Sequence, residues 1–295
     1  MDLIAERSDS NAQSVDDAPA PGRPSLSFER VDGAFGVIVR GIVWEAPDPE
    51  TVKALTRALR RHLLLVFRGQ PSPDHEQLDA FFRPFGRLLL ETPDGTFHYG
   101  KFTKDQSEWI HRRKDGNYLV NTDEGMGELV WHNDQFHKPQ IKTLSVLEAL
   151  KFEEGSVPTS YRDMYTVYEM MPPEIRARLE YKQSLNFDPR LPGPDVQRRL
   201  CDSMHPIFTP HPESGRRSVF VSDMTTGVAG VEPEESDQLM AWLRDFAKEN
   251  APRYDHHWQE GDILVWDNVG LQHKREAMGP GKVRVMRVYE GVAER

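Results

Sequence analysis

Gly261-Asp262-Ile263-Leu264-Val265-Trp266-Asp267-Asn268 is a turn feeding a short apolar run. The run is bounded by Gly and Asp, β-branched in part and too short for a helix, which predicts a buried strand. Leu63-Leu64-Leu65-Val66-Phe67, closed by Gly69, reads the same way, as do Ser218-Val219-Phe220-Val221 and residues 283–289. Helices are predicted from about Asp48, where Asp48-Pro49-Glu50-Thr51 carries start signals and Val52, Leu55, Ala58 and Leu59 form a stripe. A second helix follows Ser72-Pro73-Asp74, packs through Leu78, Phe81, Phe82 and Phe85, and stops at Gly86. Residues 164–179 form a third with a break at Pro172-Pro173, and residues 232–248 a fourth with Leu239, Trp242, Leu243 and Phe246 on one face. Strands outnumber helices without regular βα alternation. The expected fold class is therefore mixed and mainly β, an antiparallel barrel or sandwich with flanking helices rather than a doubly wound sheet.

Composition narrows the partners. The chain has 295 residues, 37 basic and 47 acidic side chains, a formal charge of −10 and one cysteine. An acidic balance disfavours nucleic acid, which binds clustered Lys and Arg. Cys201 alone permits no intrachain disulfide and no Cys-based zinc finger, and suits a reducing cytoplasm. No apolar run approaches the roughly 20 residues of a membrane span. A small-molecule ligand is expected. Residues 1–25 mix Asp, Ser, Ala and Pro without hydrophobic period and predict a disordered tail ahead of one domain over 26–295. Residues 91–127 are polar, with brief apolar pieces such as Tyr118-Leu119-Val120, and predict long loops of the kind that serve as lids. Phe97, His98, Tyr99 and Trp109 are lid candidates there, and the basic cluster His111-Arg112-Arg113-Lys114 is expected to be solvated.

Among eleven histidines, His132 stands out because Trp131-His132-Asn133-Asp134 places a His and an Asp two apart. In an extended chain such residues project from one face, so one metal ion could take both. His273 lies a short loop beyond the Trp266 strand and is the best third ligand. Two imidazoles and a carboxylate hold non-haem iron with coordination positions left open, although zinc accepts the same donors. Arg284 and Arg287 sit in the apolar run Val283-Arg284-Val285-Met286-Arg287-Val288-Tyr289. A guanidinium in such a strand needs a carboxylate, either an ordinary structural partner or a bidentate acidic ligand.

Taken together, His132-Asn133-Asp134, Trp266-Asp267-Asn268 with His273, and Arg284 resemble in order and spacing the Fe(II)- and 2-oxoglutarate-dependent oxygenases of the taurine dioxygenase (TauD/TfdA-like) family. Further matches are Val66-Phe67-Arg68-Gly69-Gln70, Phe85-Gly86, Asp163-Met164 with Tyr168-Glu169, and Ser214-Gly215-Arg216. The resemblance implies a double-stranded β-helix (jelly-roll) core. It implies that His132, Asp134 and His273 bind Fe(II), that O2 is the oxidant, and that an Arg of the last strand holds the distal carboxylate of 2-oxoglutarate. The family's cosubstrate Arg follows the second metal His by about eleven positions, and here 284 − 273 = 11. Arg287 is three further on, an odd offset that turns it to the other face of a regular strand; it is the second choice should a bulge shift the register. The family's cosubstrate Thr corresponds to Thr159, although Ser156-Val157-Pro158 replaces the usual glycine turn. Asn121 is also expected near the pocket. An intact Asp134 argues against the halogenating branch, leaving hydroxylation as the default reaction.

The positions that hold a sulfonate in taurine-cleaving members align here with Glu91, Glu128 and Val288. Two acids and a Val disfavour an anion and point to a substrate bearing an amine or guanidine, unless the two acids are merely solvated. The other readings are sulfonate or aryloxyalkanoate cleavage and, in a different class, an inactive metal-binding barrel serving as a sensor or assembly partner. Related enzymes are often dimers or tetramers, so a homo-oligomer fits equally. His205 and His211 are expected to be packed or hydrogen-bonded, His256, His257 and Trp258 to pack ahead of the Trp266 strand, and His137 to be exposed unless it contacts substrate or lines the pocket mouth.

Overall fold

A computed structural model describes residues 25–85, 87–89, 117–120, 125–187 and 201–292. Its largest sheet runs in the order β1 (Ser27–Arg30), β2 (Val37–Arg40), β3 (Leu64–Phe67), β15 (Ile263–Asp267), β7 (Leu144–Phe152), β17 (Arg284–Val292) and β4 (Arg87–Leu89), with β5 (Asn117–Val120) also paired to β17. Among the described residues only the β2–β3 pair is parallel. A four-stranded sheet follows the order β14 (Arg253–His256), β8 (Thr159–Asp163), β16 (Leu271–Arg275) and β6 (Leu129–His132). Two smaller sheets join β10 (Ser203–Pro206), β9 (Gln183–Asn186) and β13 (Thr225–Val228), and β11 (Phe208–Pro210) with β12 (Arg217–Val219). The polar stretch read as loops thus contributes β5, because Tyr118-Leu119-Val120 finds an antiparallel partner distant in sequence.

The helices start where their caps dictate. Helix α1 (Pro49–His62) begins at Asp48, whose carboxylate accepts from the backbone N–H groups of Glu50 and Thr51. Helix α2 (His75–Phe82) begins with a reciprocal capping box between Asp74 and Gln77 and passes into a tight turn over Arg83–Phe85. The proline break divides the third segment into α3 (Met164–Met170) and α4 (Pro173–Leu179), while α5 (Pro233–Asn250) is continuous.

Strand alternation sorts the core into layers. On β3 and β15, Leu65, Phe67, Ile263 and Val265 pack with Leu55, Leu78, Phe81 and Phe82 of α1 and α2. Their neighbours Leu64, Val66, Leu264 and Trp266 point the opposite way and meet Tyr161 and Leu271 of the four-stranded sheet, with Trp258 just past the end of β14. The two sheets therefore face each other across a shared apolar layer. Both faces of β3 and β15 are buried, which explains why each reads as an unbroken apolar run. A third cluster joins α3 and α5 to β11, β12 and β13. Among the described residues no helix is long and apolar enough to cross a membrane.

Candidate active site

His132 and His273 are direct partners across the antiparallel pair β6–β16. Their ring centroids lie 4.2 Å apart. The Asp134 carboxylate stands 3.8 Å from His132 Nε2 and 3.6 Å from His273 Nε2. One donor atom from each of the three residues falls within 4.8 Å of the others. The expected same-face projection of an extended His-X-Asp is not how the pair forms, since β6 ends at His132 and the chain turns through Asp134, with Gln135 at φ 53°.

Asn268 makes that turn hold. Its Oδ1 accepts from the Asp134 N–H at 2.8 Å, and its Nδ2 donates to the Asp134 and Lys142 carbonyls at 3.1 Å each. Asn133 donates to the Asn268 carbonyl at 2.7 Å and to the Leu271 carbonyl at 3.2 Å. Asp267 accepts from the N–H groups of Val269 and Gly270 and from the Tyr165 hydroxyl. A Cβ on Gly270 would lie 2.0 Å from the Tyr165 ring, so only glycine fits there. The Trp-Asp-Asn motif is thus the mount that carries the β6 turn and delivers His273.

Burial sets the protonation of the cluster. Desolvation, assisted by His132, pushes His273 down to about 3, and desolvation likewise lowers His132. Both rings are neutral at physiological pH. Burial opposes the charge of Asp134, yet its carboxyl is held below its ordinary range by attraction to His273 and His132 whenever either ring carries a proton, and by the Ser145 hydroxyl and the Lys142 ammonium. His132 Nδ1 lies 2.7 Å from the Val130 carbonyl, which fixes that nitrogen as the donor and turns the Nε2 lone pair toward Asp134. Neutral imidazole nitrogens converging on an ionised carboxylate are the donor set of a divalent metal.

Arg284 lies at the start of β17, 4 % exposed. It donates to the Val157 carbonyl at 3.3 Å and the Thr159 hydroxyl at 3.4 Å, and stands 5.7 Å from the centre of the Phe152 ring. Among the described residues no carboxylate pairs with it. Burial, with the neighbouring Arg275 cation second, pushes it down to about 9, the signature of a desolvated and uncompensated charge. Thr159 also accepts from Trp258 Nε1 at 2.9 Å. Both lone pairs of its oxygen are engaged by donors, so its own proton is left for an acceptor.

The two arginines of β17 part company as their odd spacing requires. Arg287 is fully buried and bonds Glu148 through Nε at 2.7 Å and the Pro73 carbonyl through Nη2 at 2.6 Å. A register shift in the β7–β17 pair at Val285/Met286 does not bring it to the Arg284 side. Glu128 is exposed on the segment leading into β6. Glu91, Asn121, Phe97, His98, Tyr99, Trp109 and the basic cluster at 111–114 lie outside the described residues, as does Gly86. His137 corrects an expectation of exposure: it is 8 % exposed, edge-on to Phe136 in the turn after Asp134, which Ser203 secures by donating to the Phe136 carbonyl. His205 and His211 are buried and hydrogen-bonded, and His256 bonds Asp262 at 3.0 Å. Sequence reasoning missed Tyr161. It faces His273 across β8–β16, its ring 5.9 Å from the imidazole, and its fully buried hydroxyl has no partner in the described structure. The signal was its spacing of two from Thr159, which puts both side chains on one face of β8.

A buried His-Asp-His cluster with an unpaired arginine near it fits the donor set expected of a 2-oxoglutarate-dependent non-haem iron dioxygenase. The sequence matches the family described as "Taurine catabolism dioxygenase TauD, TfdA family" over residues 27–289, and the chain belongs to that family. Pentalenolactone F synthase of Streptomyces arenae is 29% identical over 300 residues, covering 91% of this chain and 92% of its own. The (S)-phenoxypropionate/alpha-ketoglutarate-dioxygenase of Sphingobium herbicidovorans is 27% identical, covering 89% and 93%. The crystal structure of a taurine dioxygenase from Burkholderia xenovorans superposes with a TM-score of 0.71 at 23% identity, covering 92% of this chain and 90% of that one.

Proposed function

We propose that this dioxygenase hydroxylates an unactivated C–H bond of a small organic substrate, with 2-oxoglutarate as cosubstrate and Fe(II) held by His132, Asp134 and His273. The two facing sheets are read as a double-stranded β-helix within a single domain over 26–295, working in a reducing cytoplasm. The observation that carries the proposal is Arg284, a buried cation lacking a carboxylate among the described residues, bonded to a Thr159 whose proton is unspent, on the cluster's side of β17. A dicarboxylic acid supplies what that end lacks: a charge for Arg284 and an acceptor for Thr159. When bound, iron and 2-oxoglutarate couple oxidative decarboxylation of the keto acid by O2 to insertion of oxygen into the substrate. The chain's own work is to fix the ligand geometry through Asn268 and Asn133, to anchor the acid, and to exclude water with the apolar layer of Tyr161, Trp266 and Leu271.

The relatives suggest candidate substrates. One acts in pentalenolactone formation and another on a phenoxypropionate, so a screen should hold polycyclic lactones, aryloxyalkanoates, sulfonates and amine-bearing molecules. Glu91 and Glu128 favour the amines, and Glu128→Gln should then raise KM for a cationic substrate. The test of the reaction is succinate formation with Fe(II), O2 and 2-oxoglutarate, stimulated by a substrate and abolished in Asp134→Ala. A folded wild type that forms no succinate with any of these would leave the inactive barrel as the reading.

A further inference from the structure

We infer that Tyr161 is a binding residue for the keto acid, donating its phenolic hydrogen to a carboxylate of 2-oxoglutarate; this rests on the cosubstrate assignment above. The Tyr161 side chain is wholly buried, yet its hydroxyl contacts no donor or acceptor in the described structure. Buried hydroxyls are rarely left so, because desolvating one without a partner is costly. The ring is held from two sides, stacked on His273 at 5.9 Å and edge-on to Trp266 at 5.5 Å, so the hydroxyl cannot swing out to find water.

Its position says what it awaits. Tyr161 and Thr159 project from one face of β8, and on the facing strand β16 their partners are His273 and Arg275. The Tyr161 ring stacks on His273, and Thr159, on the same face of β8, accepts from Arg284. Tyr161 therefore lies along the path between the metal-type cluster and the unpaired arginine. A molecule that bridges those two must pass it, and along that path Thr159 has an unspent proton and Arg284 an uncompensated charge. Three donors on one path call for a ligand rich in carboxylate oxygens. A substrate amine would meet them as a like-signed group, so the cosubstrate rather than the substrate is the partner.

The experiment is an anaerobic titration of Fe(II)-loaded wild type and Tyr161→Phe with 2-oxoglutarate, read by the charge-transfer absorption of the complex. Losing a hydrogen bond to a charged group should weaken 2-oxoglutarate binding roughly tenfold to a hundredfold. Fe(II) affinity should be unchanged, and Tm unchanged or raised, since the substitution removes an unsatisfied buried group. Equal 2-oxoglutarate affinity in the two proteins would overturn the inference, as would a variant altered only in KM for the organic substrate. Absence of the band in the wild type would instead defeat the cosubstrate assignment itself. Should the variant not fold, the wild type still decides: 2-oxoglutarate added to Zn(II)-loaded protein should red-shift the tyrosine ultraviolet absorption, and an unshifted spectrum would overturn the inference.

Discussion

Arg284 donates to the Thr159 hydroxyl at 3.4 Å while no carboxylate among the described residues offsets its charge. A chain that buries a guanidinium this way accepts a cost in the ligand-free state that a bound acid relieves. Arg284→Leu should therefore keep or raise Tm in the absence of ligand. It should weaken 2-oxoglutarate binding by about a hundredfold, in line with removing one member of a buried charged pair. Isothermal titration checks the second effect and scanning calorimetry the first. A variant that loses stability without losing affinity would mark Arg284 as a structural residue.

Arg287 should behave oppositely. Its fully buried pair with Glu148, which also accepts from the Ser72 hydroxyl, ties β17 to β7 and to the segment ahead of α2. Removing one partner of such a pair costs about 3–5 kcal/mol. Arg287→Met should lower Tm steeply, and the double variant Arg287→Met/Glu148→Leu should recover part of the loss. Denaturant unfolding of the three proteins measures this, and 2-oxoglutarate affinity per folded molecule should stay at the wild-type level.

Asn268 is the test of how the metal-type cluster is positioned. Because it holds the Asp134 backbone through both N–H and carbonyl, Asn268→Ala should weaken Fe(II) binding about 10–100-fold without touching any ligand atom. Competition with a chromophoric chelator reads the change. Unaltered affinity would mean that the turn after His132 holds its shape without this clamp.

Much of the site is legible along the chain because its parts are local. His132 and Asp134 lie two apart, Trp266-Asp267-Asn268 leads straight to His273, and the odd spacing of Arg284 and Arg287 already assigns them to opposite faces. What the chain alone could not show is nonlocal. Nothing in either segment says that His132 and His273 become partners across β6–β16. Nor does anything say that Asn268 reaches back to Asp134, which lets a turn rather than an extended strand present the carboxylate. His137 misled for the same reason: a polar residue after a turn reads as exposed until Ser203 of β10, distant in sequence, bonds the neighbouring Phe136 carbonyl and the turn folds inward. Tyr161 is marked along the chain only by its spacing of two from Thr159, and its unmet hydroxyl emerges only in the fold.

Buried histidines should give the protein an acid-sensitive stability. Burial lowers His205 and, despite its bond to Asp262, His256, both outside the metal-type cluster. A histidine whose folded value lies below its unfolded one, about 6.5, binds fewer protons when folded. Its stability contribution is complete above pH 6.5 and is lost as pH falls below that toward the folded value, at up to about 1.4 kcal/mol per pH unit per histidine. Unfolding free energy should thus be level from pH 8 to about 7 and decline below about 6.5. His256→Gln should flatten the slope; a slope identical to wild type would assign the acid lability to other groups.

The central claim is that His132, Asp134 and His273 hold an iron to which 2-oxoglutarate, anchored by Arg284, can bind. Anaerobic visible spectroscopy of metal-free protein given Fe(II) and then 2-oxoglutarate addresses it directly. A metal-to-ligand charge-transfer band should appear in the wild type only after both additions and be missing in His132→Ala. A folded wild type that takes up Fe(II) and 2-oxoglutarate without the band, or a His132→Ala protein that retains it, would contradict the account.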